Sequence, residues 1–354
     1  MPHAVVLGAG VIGLSTALHL QSQSPYSITL LARDFPLPSE TIDAVSQINF
    51  TSPWGGAHNR LVPPTNPTEE REHAMSLRTF THMKTLHSQN PGEAGITFMK
   101  GVEYLEAPGP AYKELNDEKA KSLGMEGFRL LRKEEYPDER VTWGCEYDTW
   151  CVNPMVFCSF LLRRFVYLGG KVVRREVRDP VEIFGMRDLG EVDVVVNCSG
   201  NGFGDEKVFI TRGQTCLVAN ACPVTVTRQN ADGSWTFCVP RNFQGGTIIG
   251  GTKEPNNWDP NPSPEVRAGL LKKFAATYPC ILDSHGGGFQ VIKDIVGRRP
   301  TRKGGMRLER EQLSNGKSIV HAYGLGGRGY ELSWGVAEGV AELLPKPTTR
   351  TSKL

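Results

Sequence analysis

Three glycines near the start of the chain have the spacing of a phosphate-binding turn. Gly8, Gly10 and Gly13 fit the pattern G-x-G-x-x-G. In this pattern the first glycine permits a tight turn, the second lets the backbone approach a pyrophosphate, and the third allows close packing of helix on strand. The apolar run AVVL precedes the turn and a helical pattern follows it, so the segment predicts strand, turn and helix. The helix would then present free N–H groups and partial positive charge to a dinucleotide.

A second apolar run, SITLLA, ends at Arg33 and Asp34. An acid in this place accepts hydrogen bonds from the ribose hydroxyls of the adenosine, whereas an arginine pairs with the 2′-phosphate of NADP. These residues alone leave a flavin dinucleotide and an NADP-dependent reductase open. An Arg33 side chain that packs along adenine or faces solvent is a third alternative.

Two later segments predict further strands with ligand-binding ends. Residues 190–202, GEVDVVVNCSGNG, predict a short buried strand that ends in the small residues Cys198, Ser199 and Gly200. Residues 318–344 predict a strand, a glycine loop and a helix whose N-cap is Ser333. Ligands collect at the carboxyl ends of strands in a doubly wound sheet, so we expect an α/β fold with its site there.

Composition excludes several classes of protein. The chain has 354 residues, 40 Lys and Arg against 38 Asp and Glu, and a formal charge of +2, which does not suit a nucleic-acid binder. It has no apolar run of eighteen residues and no basic leader followed by an apolar stretch, so we expect neither a membrane span nor a secretory signal. The eight cysteines form no CxxC pair or zinc spacing, which predicts reduced thiols and no metal site. Length predicts two domains.

Several motifs, in order and at matching spacing, resemble one family. GAGVIGLSTAL (8–18), LARD (31–34), SPWGGA (52–57), VVVNCSG (194–200), GRRP (297–300) and HAYGLGGRGYELSWG (321–335) together resemble the FAD-dependent D-amino acid oxidases, most like the fungal peroxisomal members. The resemblance implies a Rossmann-like FAD-binding domain interleaved with a substrate domain built on a large mixed β-sheet. The expected ranges are 1–55, 156–205 and 298–354 for the first domain, and 56–155 and 206–297 for the second.

The resemblance also assigns residues to a non-covalently bound FAD. The residues implied to cradle the pyrophosphate, meet the adenosine, line the ribityl and flavin, and close over the ring are Gly8, Gly10, Val11, Ile12, Gly13, Arg33, Asp34, Ser46, Gln47, Gly55, Gly56, Ala57, His58, Val177, Ser199, Gly200, Gly326, Gly327, Gly329, Tyr330, Glu331 and Leu332. Core packing is an equally good interpretation of Val177.

The implied reaction is the oxidative deamination of neutral D-amino acids to 2-oxo acids, ammonia and hydrogen peroxide. The α-hydrogen leaves as hydride to flavin N5, and no side chain acts as acid or base. Arg299 would hold the substrate carboxylate through a bidentate fork, and the Gly327 carbonyl would accept from the amine. Arg298 and Arg299 alternate along a strand, so only one enters the pocket. A helix that begins near Ser333 would aim its N-terminus at the flavin.

Two positions depart from the family pattern. Phe237 stands where the family has a tyrosine, and its ring packs over a substrate but forms no hydrogen bond with the carboxylate. Lys253 stands in the GGT context where related D-aspartate oxidases have an arginine, so oxidation of acidic D-amino acids is the alternative function. The other interpretation places Lys253 at the solvent-exposed rim.

The last three residues, Ser352, Lys353 and Leu354, spell a peroxisomal address that an import receptor reads. We therefore expect the peroxisomal matrix as the location and the import receptor as a partner, beside a D-amino acid and molecular oxygen. A homodimer is left open. A flavin-fold scaffold that binds a protein or lipid without catalysis is the competing hypothesis from another class.

Overall fold

The computed structural model describes residues 1–36 and 48–346. In chain order the strands are β1 (His3–Leu7), β2 (Ser27–Ala32), β3 (Ile96–Leu105), β4 (Arg129–Leu130), β5 (Trp143–Val152), β6 (Lys171–Arg174), β7 (Val194–Asn197), β8 (Val208–Val218), β9 (Thr225–Gln229), β10 (Trp235–Pro240), β11 (Thr247–Gly250), β12 (Glu254–Pro255), β13 (Val291–Arg302), β14 (Arg307–Gln312) and β15 (Ser318–Tyr323). The α-helices are α1 (Val11–Gln23), α2 (Pro67–Gln89), α3 (Pro110–Lys113), α4 (Asp117–Ser122), α5 (Pro154–Tyr167), α6 (Pro264–Thr277) and α7 (Gly329–Leu343).

The first sheet has the strand order β14-β15-β7-β1-β2-β6. Its five strands from β15 to β6 are parallel, and β14 pairs antiparallel at the edge. Strands β1, β2 and β7 are continuous apolar runs because both faces of the sheet are covered. Helices α1, α5 and α7 pack on one face, and the segment around Val177 to Val192 covers the other.

The second sheet has nine strands in the order β12-β8-β11-β10-β9-β3-β5-β4, with β13 also paired to β8. It is mixed, because β3 and β9 run parallel while its other pairs are antiparallel. Helix α6 packs on one face. The opposite face, which carries Cys151, Leu217, Val239 and Ile248, packs against Trp54. The predicted α/β class with a large mixed sheet is confirmed.

The strands of the first sheet lie in three separate stretches of chain, which interleave with those of the second. Strand β13 runs from Val291 to Arg302 and so crosses the predicted boundary between 297 and 298. The domain limits themselves stay a prediction.

The expected start of the last helix is wrong. Helix α7 begins at Gly329, directly after a 3₁₀ turn at Gly326–Arg328, and Ser333 lies inside it, where its Oγ donates to the Tyr330 carbonyl. Gly324 and Gly326 have φ of 82° and 58°, so the chain completes its turn earlier than a serine cap would require. Strand β6 ends at Arg174, so Val177 lies beyond the strand.

Within the described ranges, no helix is both long and apolar enough to cross a membrane.

Candidate cofactor cleft and substrate pocket

A cleft of about 370 Å³ opens at the carboxyl ends of β1, β2, β7 and β15. This is the edge at which doubly wound sheets bind ligands. The predicted residues that line it are Gly8, Gly10, Val11, Ile12, Arg33, Asp34, Val177, Ser199, Gly200, Gly326 and Gly329. The structure therefore brings together residues that are more than 300 positions apart in the sequence.

The glycine turn is shaped for close backbone approach. Gly8 has φ of 107°, and a Cβ there would lie 2.6 Å from the Cys198 carbonyl oxygen. A Cβ at Gly13 would lie 1.8 Å from the Gly8 oxygen, so Gly13 serves the packing of α1 on β1 rather than the cleft lining. Helix α1 begins after Gly10, which offers no side-chain cap, and its N-terminus therefore suits a pyrophosphate.

Ser52 is a contact that the sequence reasoning missed. Its Oγ accepts a hydrogen bond of 2.9 Å from the Val11 N–H, at the start of α1. The SPWGGA motif marked this segment, but nothing in its pattern places the serine hydroxyl on a helix 41 residues earlier. Ser52 is thus positioned to contact a phosphate bound at the same N-terminus.

The acidic surroundings of Arg33 decide between two dinucleotides. Its guanidinium lies 2.9 Å from Asp34 and 3.2 Å from Glu176, and the hydrogen bond with Asp34 raises the pKa of Arg33. A 2′-phosphate would have to displace these carboxylates and approach their negative charge. The site therefore suits an unphosphorylated ribose, as in FAD, better than NADP.

Two of the predicted substrate residues, Phe237 and Arg299, lie on one face of the nine-stranded sheet. Thr215 of β8, Gly250 of β11 and Phe237 of β10 lie side by side in register. Arg299 of β13 is paired with Thr211 of β8, and its guanidinium lies over Gly213. A Cβ on Gly213 would come within 2.5 Å of the guanidinium. Glycine at 213 therefore makes the room that the guanidinium occupies.

Arg299 is a largely buried cation that forms no ion pair in the part of the chain that the structure describes, although the negative charge of Glu254 acts on it. Its Nη1 donates to the Thr252 carbonyl at 3.3 Å, and burial lowers its pKa. A Cβ at Gly327 would lie 4.0 Å from Arg299 Cδ, so the cation and the glycine loop are adjacent. This arrangement suits a ligand that carries both a carboxylate and an amine.

Phe237 forms part of an apolar wall beside this cation. The ring of His58 stacks on it at 6.4 Å, and a Cβ at Gly56 would lie about as close to Val239 and Ile248 as to Phe237. Burial, with a smaller contribution from the charge of Arg60, lowers the pKa of His58 to about 4. The wall is therefore uncharged at neutral pH.

The remaining predicted FAD residues that the structure describes lie outside the cleft lining. Gly55 packs against the Tyr330 ring and Ala57 accepts from the Val152 N–H, so with Gly56 and His58 they lie between α7 and the second sheet. Tyr330 donates to the Ser52 carbonyl at 2.7 Å and thereby joins the glycine loop to that segment.

Glu331 and Leu332 have other partners. Arg328 donates to Glu331, whose pKa is raised by burial, and Leu332 lies in the core. Ser46, Gln47 and Ser352, Lys353 and Leu354 lie outside the described residues.

Two further positions bear on the predictions. Lys253 is exposed, although it follows Thr252, whose carbonyl Arg299 contacts. Arg298 lines the cofactor cleft and lies over the Trp258 ring at 5.2 Å, whereas Arg299 occupies the opposite face of β13. Strand alternation separated the two arginines, but it did not indicate that Arg298 and Trp258 would form a wall of the cleft.

Comparison with known proteins gives a consistent result. The family model DAO, described as FAD dependent oxidoreductase, matches residues 3–343. A D-aspartate oxidase from Talaromyces thermophilus is 42% identical over 97% of this chain and 95% of its own length. A D-amino-acid oxidase from Fusarium vanettenii is 31% identical over 97% of this chain and 96% of its own length. Among solved structures, glycine oxidase from Geobacillus kaustophilus superposes with a TM-score of 0.69 at 17% identity. The match covers 97% of this chain and 95% of the glycine oxidase chain. At this identity the likeness shows a shared fold alone.

Proposed function

The chain belongs to the DAO family of FAD-dependent oxidoreductases, and from that premise we propose that it oxidises acidic D-amino acids, D-aspartate above all. The substrate, oxygen and water would give the 2-oxo acid, ammonia and hydrogen peroxide. The neutral preference expected from the sequence becomes the second candidate.

One geometric observation carries the assignment of an amino acid as substrate. The Arg299 side chain lies beside Gly327, next to the loop that lines the cofactor cleft, and no described carboxylate forms an ion pair with its guanidinium. A bound carboxylate would supply the charge that this buried cation lacks. The identity of 42% with a D-aspartate oxidase, against 31% with a D-amino-acid oxidase, supports the acidic class.

The chain's own residues have defined tasks in this proposal. Arg299 holds the α-carboxylate, and the Gly327 carbonyl accepts a hydrogen bond from the amine, so the Cα–H bond is fixed in one orientation. Phe237 and His58 keep water from the reacting carbon. FAD, when bound, supplies the two-electron acceptor, and no side chain is required as a general acid or base.

Oxidation of neutral D-amino acids is the second candidate because one observation favours it. The wall formed by Phe237, Val239 and Ile248 is apolar, and Lys253, the cation suggested by sequence, is exposed.

Anaerobic reduction of the purified yellow enzyme separates these candidates. We expect the flavin absorbance to bleach with D-aspartate at lower concentration than with D-alanine or D-methionine, and to persist with L-aspartate. Bleaching by neutral D-amino acids at lower concentration would support the second candidate, and no bleaching by any amino acid would support the non-catalytic scaffold.

The carboxyl-terminal tripeptide Ser352, Lys353 and Leu354 supports a further proposal, import into the peroxisomal matrix through its receptor. A hydrogen-peroxide-producing oxidase suits a compartment equipped to remove peroxide.

A further inference from the structure

Arg241 is a second largely buried arginine whose charge the described part of the chain does not pair with a carboxylate. It follows β10, and its backbone N–H continues the hairpin by donating to Gly246. Its Nη2 donates to the Gly55 carbonyl at 2.8 Å, while its buried Nε has no hydrogen-bond partner. Burial lowers the pKa of Arg241 to about 10. Burial of a guanidinium that lacks an ion-pair partner and leaves one N–H without a hydrogen bond costs free energy, unless a bound ligand supplies these partners.

Strand geometry places Arg241 on the same side as the substrate pocket. Side chains two apart on a strand share a face, so Phe237 and Val239 lie on the face of β10 that packs against residues 54–58, and Arg241 follows on the same side where the hairpin pairing continues past the strand. Gly55, which Arg241 contacts, precedes Gly56, and a Cβ on Gly56 would touch both Phe237 and Val239. Arg241 therefore closes the end of the apolar wall.

The register of the paired strands gives the spacing of these residues along the strand direction. Thr215 and Phe237 lie at one level, and Leu217 and Val239 lie two residues further along. The Arg299 guanidinium lies over Gly213, two residues before Thr215, and Arg241 reaches Gly55 near the level of Val239. Along the strand direction the two cations are thus about four residues, or ~13 Å, apart, and they lie over strands that β11 separates. A dicarboxylate is the kind of ligand that offers one carboxylate to each of two guanidinium groups.

We propose that Arg241 binds the side-chain carboxylate of an acidic D-amino acid while Arg299 binds its α-carboxylate. The inference rests on the proposed function and names the residue that makes the pocket selective. The methylene groups of the substrate pack on Phe237 and Val239, between the two cations. A neutral substrate leaves Arg241 unpaired in a buried place, and the site therefore discriminates against it. Lys253 is exposed and does not discriminate against neutral substrates in this way, because water solvates its ammonium whether or not a substrate is bound.

The test compares Arg241→Met with Lys253→Met in the FAD-loaded enzyme. Both variants replace a cation by an apolar chain. We expect Arg241→Met to lower the ratio of kcat/KM for D-aspartate over D-methionine by roughly 100-fold, mainly through the KM for D-aspartate. Lys253→Met should change this ratio less than about threefold, and Arg241→Lys should recover part of it. Equal losses on both substrates in Arg241→Met, or a large loss confined to Lys253→Met, would overturn the inference.

A binding measurement separates failure of the inference from failure of the proposed function. Succinate and butyrate have the same number of carbons and differ in one carboxylate, and each can be titrated through the absorbance of the oxidised flavin. Wild-type enzyme should bind succinate more tightly than butyrate, and Arg241→Met should lose that difference while it keeps its flavin and its melting temperature within a few degrees. A wild-type enzyme that prefers neutral substrates contradicts the proposed function. Succinate selectivity that survives in Arg241→Met contradicts the role of Arg241, whichever substrate is preferred.

Discussion

At the scale of single residues, the proposed catalysis depends on Arg299, a cation that forms no ion pair within the described residues. Arg299→Ala should lower kcat/KM for every substrate by at least two orders of magnitude, because removal of one partner of a buried ion pair costs roughly 3–5 kcal/mol and the substrate also loses its orientation. Steady-state oxygen uptake measures the loss. Flavin content should be unchanged, because Arg299 lies on the face of β13 opposite the cofactor cleft. Near-normal activity in this variant would show that another cation holds the α-carboxylate.

A second residue-scale prediction concerns His58 and acid stability. Burial lowers its pKa in the folded protein to about 4, below the value of about 6.5 in the unfolded chain. The unfolded state therefore binds more protons between these values, and stability is lost as the pH falls from 6.5 towards 4. His58→Gln should remove up to about 3 kcal/mol of this loss, since 2.5 pKa units correspond to that energy. Urea unfolding at pH 7 and pH 4.5 checks it, and identical pH dependence in both proteins would refute it.

The sequence indicated some of these residues and could not indicate others. GRRP pointed to Arg299 through resemblance, and Phe237 and Lys253 stood out as departures from the family. The pairing of Arg33 with Glu176, the contact of Ser52 with α1 and the contact of Arg241 with Gly55 depend on segments that meet only in three dimensions. No local pattern reports whether a distant carboxylate comes within reach of an arginine.

At the scale of elements, the β1–turn–α1 unit provides a prediction about packing. Gly13→Ala would place a Cβ 1.8 Å from the Gly8 oxygen, which belongs to backbone and cannot rotate away. We expect a loss of at least ~1–3 kcal/mol in stability, together with weaker retention of flavin. Gly269→Ala is the matched control, since a Cβ there meets nothing within 4 Å inside α6, and it should stabilise by up to ~1 kcal/mol. Thermal unfolding and flavin absorbance measure both. Equal melting temperatures for Gly13→Ala and wild type would contradict this geometry.

The limits of the helices and strands show where the sequence pattern and the structure disagree. The apolar runs predicted β1, β2 and β7 because buried parallel strands need no polar alternation. The start of α7 was misplaced because Ser333 has the chemistry of an N-cap, while the chain had already turned at Gly324 and Gly326. A cap residue is a local signal, and the tertiary contacts of the glycine loop override it.

At the scale of the whole molecule, the location of the protein is proposed to depend on its final tripeptide. Removal of Ser352, Lys353 and Leu354 should leave kcat and KM unchanged, because the cofactor cleft and the substrate pocket are built from residues between Leu7 and Gly329. A fluorescent fusion at the N-terminus should move from peroxisomes to the cytosol. Peroxisomal fluorescence that persists after the deletion would show that another signal directs import.

The interleaved arrangement of the two sheets was expected only through resemblance to a family. Composition and periodicity gave a dinucleotide-binding unit at the start of the chain, but they did not show that residues near 200 and 330 return to the same sheet. That return follows from the parallel pairing of β7 with β1 and of β15 with β7, which joins strands that are more than 100 residues apart in the sequence. The long antiparallel pair of β8 and β13 then connects the cofactor cleft with the substrate face.

The central claim is that this flavin oxidase selects acidic D-amino acids. Oxygen uptake by the purified, FAD-loaded full-length enzyme, measured as kcat/KM for D-aspartate, D-glutamate, D-alanine, D-methionine and L-aspartate, tests it most directly. We expect kcat/KM for D-aspartate to exceed that for both neutral D-amino acids by at least about tenfold, or ~1.4 kcal/mol in transition-state stabilisation, and L-aspartate to be inert. An equal or higher kcat/KM for D-alanine or D-methionine would contradict it.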